Sequence, residues 1–217
     1  ARQGRPSPAM LQVLPPEALL PLLLLTLAAL PIVLFFRQHL GRSDVAAEVG
    51  VVGLGVMGSQ LCLNLAEKLR RPDKAGGAIV AGFDLDQSKV GVLLDAAEKE
   101  GGLLVAPTAS LRTFVRSLKR PRKILLLVPA GKAVDAVIKS LKPLLNRGDL
   151  LVDMGNEWFE HTERRAAEMS KSGLLYMGCG TSGGESGARH GPCLMPGGSE
   201  EGWALLKPIF EKIAPLP

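Results

Sequence analysis

"VGVVGLGVMGSQLCLNLAEKL", residues 49–69, decides the fold. Residues 49–54 form an unbroken apolar run of strand length. Gly53, Gly55 and Gly58 then stand in G-x-G-x-x-G spacing, leading into an amphipathic helix over 57–70. Glycines also mark ordinary turns, so the spacing alone is a weak signal; its place between a strand and a helix makes it a strong one. There Gly53 allows a tight turn and Gly55 the close approach of a pyrophosphate. Gly58 lets the helix pack near the strand, with the helix N-terminus facing the phosphates. Gly53, Leu54, Gly55, Val56, Met57 and Gly58 are therefore candidate residues for binding a dinucleotide.

Four further runs of the same texture read as strands: 78–84, 123–129, 149–155 and 173–179. Each is nearly continuous in apolar residues rather than alternating, as in strands covered on both faces of a parallel sheet. Helical stretches alternate with them at 87–99, 109–119, 131–146 and 158–171. The pattern predicts an α/β class fold, a Rossmann-like, doubly wound and mostly parallel sheet occupying 46–217.

Asp84 ends the second strand, 31 residues past Gly53, and the excess over the usual spacing falls in the loop at 69–77. A carboxylate there accepts hydrogen bonds from an adenosine ribose 2′-hydroxyl. It repels a 2′-phosphate by about 4 kcal/mol per charge pair at ~4 Å and an effective dielectric of about 20. Leu85 and Asp86 follow, with no arginine to offset that repulsion, so NAD is favoured over NADP. Alternatively, Asp84 caps the following helix.

Composition narrows the function classes. The 26 Lys and Arg against 21 Asp and Glu leave a mildly basic chain, suited to an anionic metabolite or cofactor. The densest basic run, 116–123, lacks interleaved aromatics and reads as a solvated turn, so nucleic acid is not an expected partner. Cys62, Cys179 and Cys193 have no paired spacing, and His39, His161 and His190 are scattered. A reducing compartment fits, and no metal site is expected.

Residues 1–45 read as a leader. Its segment 18–36 carries no charge over 19 residues and lies between Glu17 and Arg37. As a helix it would nearly cross a hydrocarbon layer ~30 Å thick. Pro21 and Pro31 interrupt it, and Arg2, Arg5, Arg37 and Arg42 flank it on both sides, setting no orientation. An apolar N-terminal helix that contacts a membrane as an anchor, or an organelle-targeting leader, plastid included, is the expectation; the cytoplasm is the fallback. The first residue is Ala1 rather than Met, which reads as a trimmed or partly read product.

"GCGTSGGESGARHGPCLMPGG", residues 178–198, holds eight glycines and two prolines, with almost no run long enough for a helix or a strand interior. Together with "GLGVMG", "LLLVPAGKAVDAVI" and "GDLLVDMGNEWFEHTERR", it resembles the N-terminal domain of the 6-phosphogluconate dehydrogenase family over about residues 49–217. The resemblance implies an oxidoreductase of the pentose phosphate pathway. Hydride passes from C3 of 6-phosphogluconate to the nicotinamide of NAD(P), and the 3-keto acid then loses carbon dioxide, leaving ribulose 5-phosphate. By position, Val128, Pro129 and Ala130 line the nicotinamide side, and Asn156 touches both cofactor and substrate. Ser182, Gly183 and Gly184 hold the sugar acid phosphate near its carboxylate, where bare glycine amides admit an anion.

The chain departs from the family pattern. Asp84, Leu85 and Asp86 stand in place of Asn-Arg-Thr, Met154 in place of a glycine, and Pro129 in place of a lysine. The family's general-base lysine and general-acid glutamate belong to a helical domain beyond residue 217, so the resemblance places no catalytic residue within this chain. Asp153, Glu157 and Glu185 read as strand-end and turn residues. Homodimerisation is expected only with the helical domain present. Two other readings stay open: a catalytically inactive NAD(P)-binding module and a β-hydroxyacid dehydrogenase, which shares the Rossmann start and a shorter Gly-Gly motif.

Overall fold

In the computed structural model, which describes residues 46–69 and 80–215, the sheet is built outward from β1 (Val49–Val52), buried along its whole length. On one side lie β2 (Val80–Phe83) and then β3 (Val105–Pro107); on the other lie β4 (Lys123–Leu126), β5 (Leu150–Asp153), β6 (Leu175–Ser182) and β7 (Cys193–Gly197). The order β3-β2-β1-β4-β5-β6-β7 is parallel up to β6, and β7 returns antiparallel. Chain direction across the sheet therefore reverses beside β1, the switch point where open α/β sheets form their ligand crevice.

The helices are α1 (Val56–Lys68), α2 (Gln87–Lys99), α3 (Leu111–Arg116), α4 (Lys132–Leu141), α5 (Phe159–Ser170), α6 (Gly184–His190) and α7 (Glu200–Ile213), with a 3-10 turn at Lys142–Leu144. Strand alternation sorts them into two layers. Val49 and Val51 pack with Leu61 and Leu65 of α1, Leu93 of α2 and Leu206 of α7. Val52, Ile124 and Leu126 pack with Phe114 of α3, Val134 and Ile138 of α4 and Met169 of α5. Both faces of the parallel strands are thus covered, which is why their sequences lack polar alternation.

Three expectations need correction. The stretch 178–198 is not irregular: it holds the end of β6, all of α6 and all of β7. Its glycines permit regular structure because Ser182 to Gly178 pair with Cys193 to Gly197 along a five-residue ladder. The basic run 116–123 is not wholly solvated either. Arg122 is buried, donating to Val115 O at 2.9 Å, Asn146 Oδ1 at 3.0 Å and Asp149 Oδ2 at 2.7 Å. Finally, β3 and α7 appear where no element was expected; Ser199 caps α7 by accepting from Gly202 N at 3.1 Å.

Among the described residues no helix is long and apolar enough to cross a membrane. The apolar segment 18–36 and residues 70–79, most of the loop expected before β2, lie outside the described residues.

Helix α1 sits hard against the end of β1. A Cβ on Gly58 would lie 1.8 Å from the carbonyl oxygen of Gly53, and one on Gly53 would lie 2.3 Å from Leu127 O. Both contacts are with backbone, which cannot swing aside. Gly58→Ala is expected to destabilise the chain by about 3 kcal/mol or more, read as a fall in the denaturant midpoint; a midpoint within experimental scatter of the parent would show that α1 is free to shift.

Candidate functional site

All six parallel strands deliver their C-terminal ends to one edge, and the residues singled out in the sequence line up along it. Gly53 follows β1, and a Cβ built on it would lie 3.0 Å from Val128 Cγ1 beyond β4. The next neighbour is Gly155 after β5, whose Cβ position is 3.8 Å from Val128 O. Asn156 follows, its Oδ1 3.8 Å from the Cβ position of Gly180 in β6, two residues before Ser182. The row Gly53, Val128, Asn156, Gly180, Ser182 is therefore continuous. Pro129, Ala130, Asn156, Ser182, Gly183 and Gly184 are exposed along it, whereas Leu54 turns its side chain into the core and leaves only backbone to the edge.

The helices rising from this edge differ in how their positive ends are treated. Asp86 caps α2 by accepting from Ser88 N, and Ser110 caps α3 by accepting from Thr113 N. Helix α1 starts at Gly55 with no side-chain cap and no acidic residue in its first turn. Its positive end thus carries no compensating side chain of its own. At Gly55 a Cβ would meet nothing within 4 Å. The fold itself does not require glycine there, so the open space fits a closely approaching phosphate.

Asp84 does something the sequence did not reveal. Its Oδ2 accepts from Leu54 N at 2.7 Å and its Oδ1 from Asp86 N at 2.8 Å, with the residue only 8% exposed. The carboxylate braces the glycine turn against the end of β2. Lys89 Nζ lies 3.5 Å from Oδ2, a cation in the first turn of α2. Leu85 is 88% exposed beside it, and Asp86, not Asp84, is the helix cap.

The other unforeseen group is Arg165 of α5, 1% exposed. It donates to Asp135 Oδ1 at 2.8 Å, Glu157 Oε2 at 2.6 Å, Gly131 O at 2.9 Å and, more weakly, Asp153 Oδ2 at 3.3 Å. Tyr176 donates to the same Asp153 oxygen at 3.1 Å. Burial pushes the Glu157 carboxyl up, but hydrogen bonds from Arg165, Gly131, Trp158 and His161 outweigh it and bring it down to about 2. The Arg165 hydrogen bond likewise holds Asp135 at about 2. Asp153 goes the other way, raised chiefly by burial. In the sequence, the i, i+4 spacing of Glu157 and His161 is a local hint of the cluster.

Toward the other end of the row, Ser182 to Gly184 lead into α6, which is tied to α1. Asn64 Nδ2 donates to Ala188 O at 3.0 Å, Gln60 Nε2 to Glu185 Oε1 at 3.1 Å, and Arg189 to Glu67 Oε2 at 2.6 Å and to Glu100. Among the described residues, no group of three or more His, Cys, Asp or Glu is placed to hold a metal ion.

A parallel sheet with its switch point at a glycine turn and an uncapped helix behind it defines a dinucleotide-binding domain of the Rossmann type. The chain belongs to the family of the NAD binding domain of 6-phosphogluconate dehydrogenase, matched over residues 48–216. It is 46% identical over 173 residues to "6-phosphogluconate dehydrogenase, decarboxylating 3, chloroplastic" of Arabidopsis thaliana, covering 80% of this chain and 34% of that one. A solved 6-phosphogluconate dehydrogenase of Plasmodium falciparum, described in apo form, with its cofactor NADP+ and with its substrate 6-phosphogluconate, superposes with a TM-score of 0.71. It is 34% identical, covering 78% of this chain and 34% of that one. A 3-hydroxyisobutyrate dehydrogenase of Salmonella typhimurium shares the fold at TM-score 0.63 and 23% identity, over 78% of this chain and 54% of that one. The chain spans about a third of the length of the curated relatives it matches.

The Glu157 shift fixes a sign for pH dependence. Its folded value lies below the ordinary 4.5, so its contribution to stability is complete above that pH and disappears as pH falls through about 2. The gap in thermal midpoint between the parent and Glu157→Gln is therefore expected to be constant from pH 7 to about 5 and to close toward pH 2. A gap that stays unchanged down to pH 2 would refute this account of the cluster.

Proposed function

We propose that this chain is the cofactor-binding part of a decarboxylating 6-phosphogluconate dehydrogenase. Its α1 end and glycine turn hold the pyrophosphate of a nicotinamide dinucleotide. Val128, Pro129 and Ala130 face the nicotinamide, and Ser182, Gly183, Gly184 and Asn156 hold the sugar acid. The observation that carries this reading is the contrast between Gly53 and Gly58, which the fold needs, and Gly55, which it does not. A helix end with no cap beside a vacant Cβ position is what a phosphate contact requires.

In the whole enzyme, hydride leaves C3 of 6-phosphogluconate with its electron pair for the nicotinamide while the C3 hydroxyl loses a proton to a base. The resulting 3-keto acid releases carbon dioxide and is reprotonated, giving ribulose 5-phosphate. Asp153 and Glu157 are held by Arg165, and Glu185 by Gln60. Proton transfer is accordingly assigned to residues of the helical domain that the family resemblance implies.

We assign the cofactor as NAD in preference to NADP. The support is a cluster of negative charge at the end of β2, where Asp84 and the exposed Asp86 flank Leu85. Lys89 reduces the repulsion without removing it, since it pairs with one of the two carboxylates. Isothermal titration of the chain is expected to give tenfold or more tighter binding of NAD than of NADP. Gly55→Ala should weaken both by tenfold or more while shifting the thermal midpoint by no more than about 2 °C. Undiminished binding by Gly55→Ala would overturn the pyrophosphate assignment, and equal or tighter NADP binding would overturn the preference.

Residues 1–45 we assign to organelle targeting, with the plastid as destination. The support is the uncharged segment 18–36 behind Arg2 and Arg5 and the chloroplastic designation of the Arabidopsis relative. A fluorescent protein carrying residues 1–45 is expected to enter plastids of leaf cells and to be shortened there. Retention at full length in a membrane fraction would favour an anchor instead.

A further inference from the structure

Gly131 closes the loop that follows β4, and its φ of +84° places its peptide groups where ordinary helix starts do not. Both of them are captured by one ion pair from the next crossover. Gly131 N donates to Glu157 Oε2 at 2.7 Å, Gly131 O accepts from Arg165 Nη2 at 2.9 Å, and Arg165 Nη1 donates to the same Glu157 oxygen at 2.6 Å. Four residues on, Asp135 takes Arg165 Nε at 2.8 Å.

The same guanidinium also reaches the opposite wall. Its Nη1 approaches Asp153 Oδ2, whose partner oxygen Oδ1 accepts from Gly155 N at 3.1 Å, next to Asn156. One cation thus spans two loops, Val128–Gly131 and Asp153–Asn156, which face each other across the middle of the row. Within the first loop, Pro129 has no N–H to anchor itself, and Pro129 and Ala130 are exposed. If stability were the whole purpose, apolar side chains of similar volume would serve at least as well, because burying charges costs desolvation. What an ion pair adds is a fixed direction for each hydrogen bond.

Resting on the dinucleotide reading above, we propose that Glu157 is a positioning residue for the nicotinamide half of the cofactor. By holding Gly131 and orienting Arg165, it keeps the Val128–Ala130 wall at a set distance from Asn156. The adenosine and pyrophosphate halves contact the glycine turn and the end of β2, which Glu157 does not touch.

The test compares two ligands that differ only in the nicotinamide half: NAD and ADP-ribose. Titrated into the full chain, Glu157→Gln is expected to raise the Kd for NAD about tenfold and that for ADP-ribose less than twofold. Arg164→Gln, which removes a hydrogen bond to Asp135 without touching Arg165, Glu157 or Gly131, should leave the ratio of the two constants near that of the parent. Equal losses for both ligands in Glu157→Gln, or no loss for either, would overturn the proposal. If Glu157→Gln does not fold, His161→Gln, which removes only the outer hydrogen bond on Glu157 Oε1, serves instead. It should weaken NAD twofold to threefold and spare ADP-ribose; an equal effect on both overturns the proposal. A parent chain that binds neither ligand would instead bring down the dinucleotide reading itself.

Discussion

The carbonyl oxygen of Gly53 lies where a side chain on residue 58 would have to be, and this contact sets the entry of α1 onto the sheet. The turn is then closed in from both sides. Gly53 N donates to Phe83 O at 2.9 Å and Leu54 N to Asp84, tying it to β2; Leu127 O and Val128 press against it from β4. A turn held in this way has few conformations to lose when a ligand arrives, which lowers the entropic cost of binding. The first amides of α1 consequently point off the sheet edge in a fixed direction, and the other features of the row are placed relative to them.

Charge is distributed along that row by occupation. Side chains of their own segments quiet the ends of α2 and α3, and Glu157 takes Gly131 N at the start of α4, so those helix ends are partly spent before any ligand binds. The start of α1 is not. The buried carboxylates near the row are engaged as well: Asp84 with two backbone amides, Asp153 with Gly155, Tyr176 and Arg165. An anion entering at Gly55 meets a positive helix end with no carboxylate in the helix's first turn. The local positive field there depends on where acids are committed, more than on the net charge of +5.

Legibility in the sequence followed the range of the interactions involved. Strands β1, β2, β4, β5 and β6 were readable because burial on both faces removes polar residues from each run. The helix 87–99 matched to the residue because it carries its own cap, Asp86. Strand β3 is three residues with a proline at the edge, and β7 ends in Pro196 and Gly197; each exists through pairing with a neighbour that its own composition does not announce. Arg164 and Arg165 are adjacent and chemically identical, yet their side chains are 45% and 1% exposed. What separates them is which way α5 faces, and the partners Asp135 and Gly131 lie some thirty residues away. Arg122 is hidden in its basic run for the same reason, its carboxylate being Asp149. The row of glycines was visible; the ion pairs that brace it were not.

The sheet shares its fold with that of a 3-hydroxyisobutyrate dehydrogenase of 23% identity. What projects from it is the end of β6, which pairs with β5 only as far as Gly178 and then continues to Ser182 with β7 as its only strand neighbour among the described residues. Four further residues at about 3.3 Å each carry the Ser182 turn roughly 13 Å past the last β5 pairing. A projecting turn needs support, and it comes from α1 instead of the sheet: Gln60 holds Glu185, Asn64 holds Ala188 O, and Glu67 holds Arg189. These three residues lie on the helix whose N-terminus faces the proposed phosphate site. The glycine turn after β1 and the projecting turn therefore share α1 as a strut while having no ladder hydrogen bond in common. The second can change its chemistry while the first keeps its geometry, provided the side chains along α1 still meet α6.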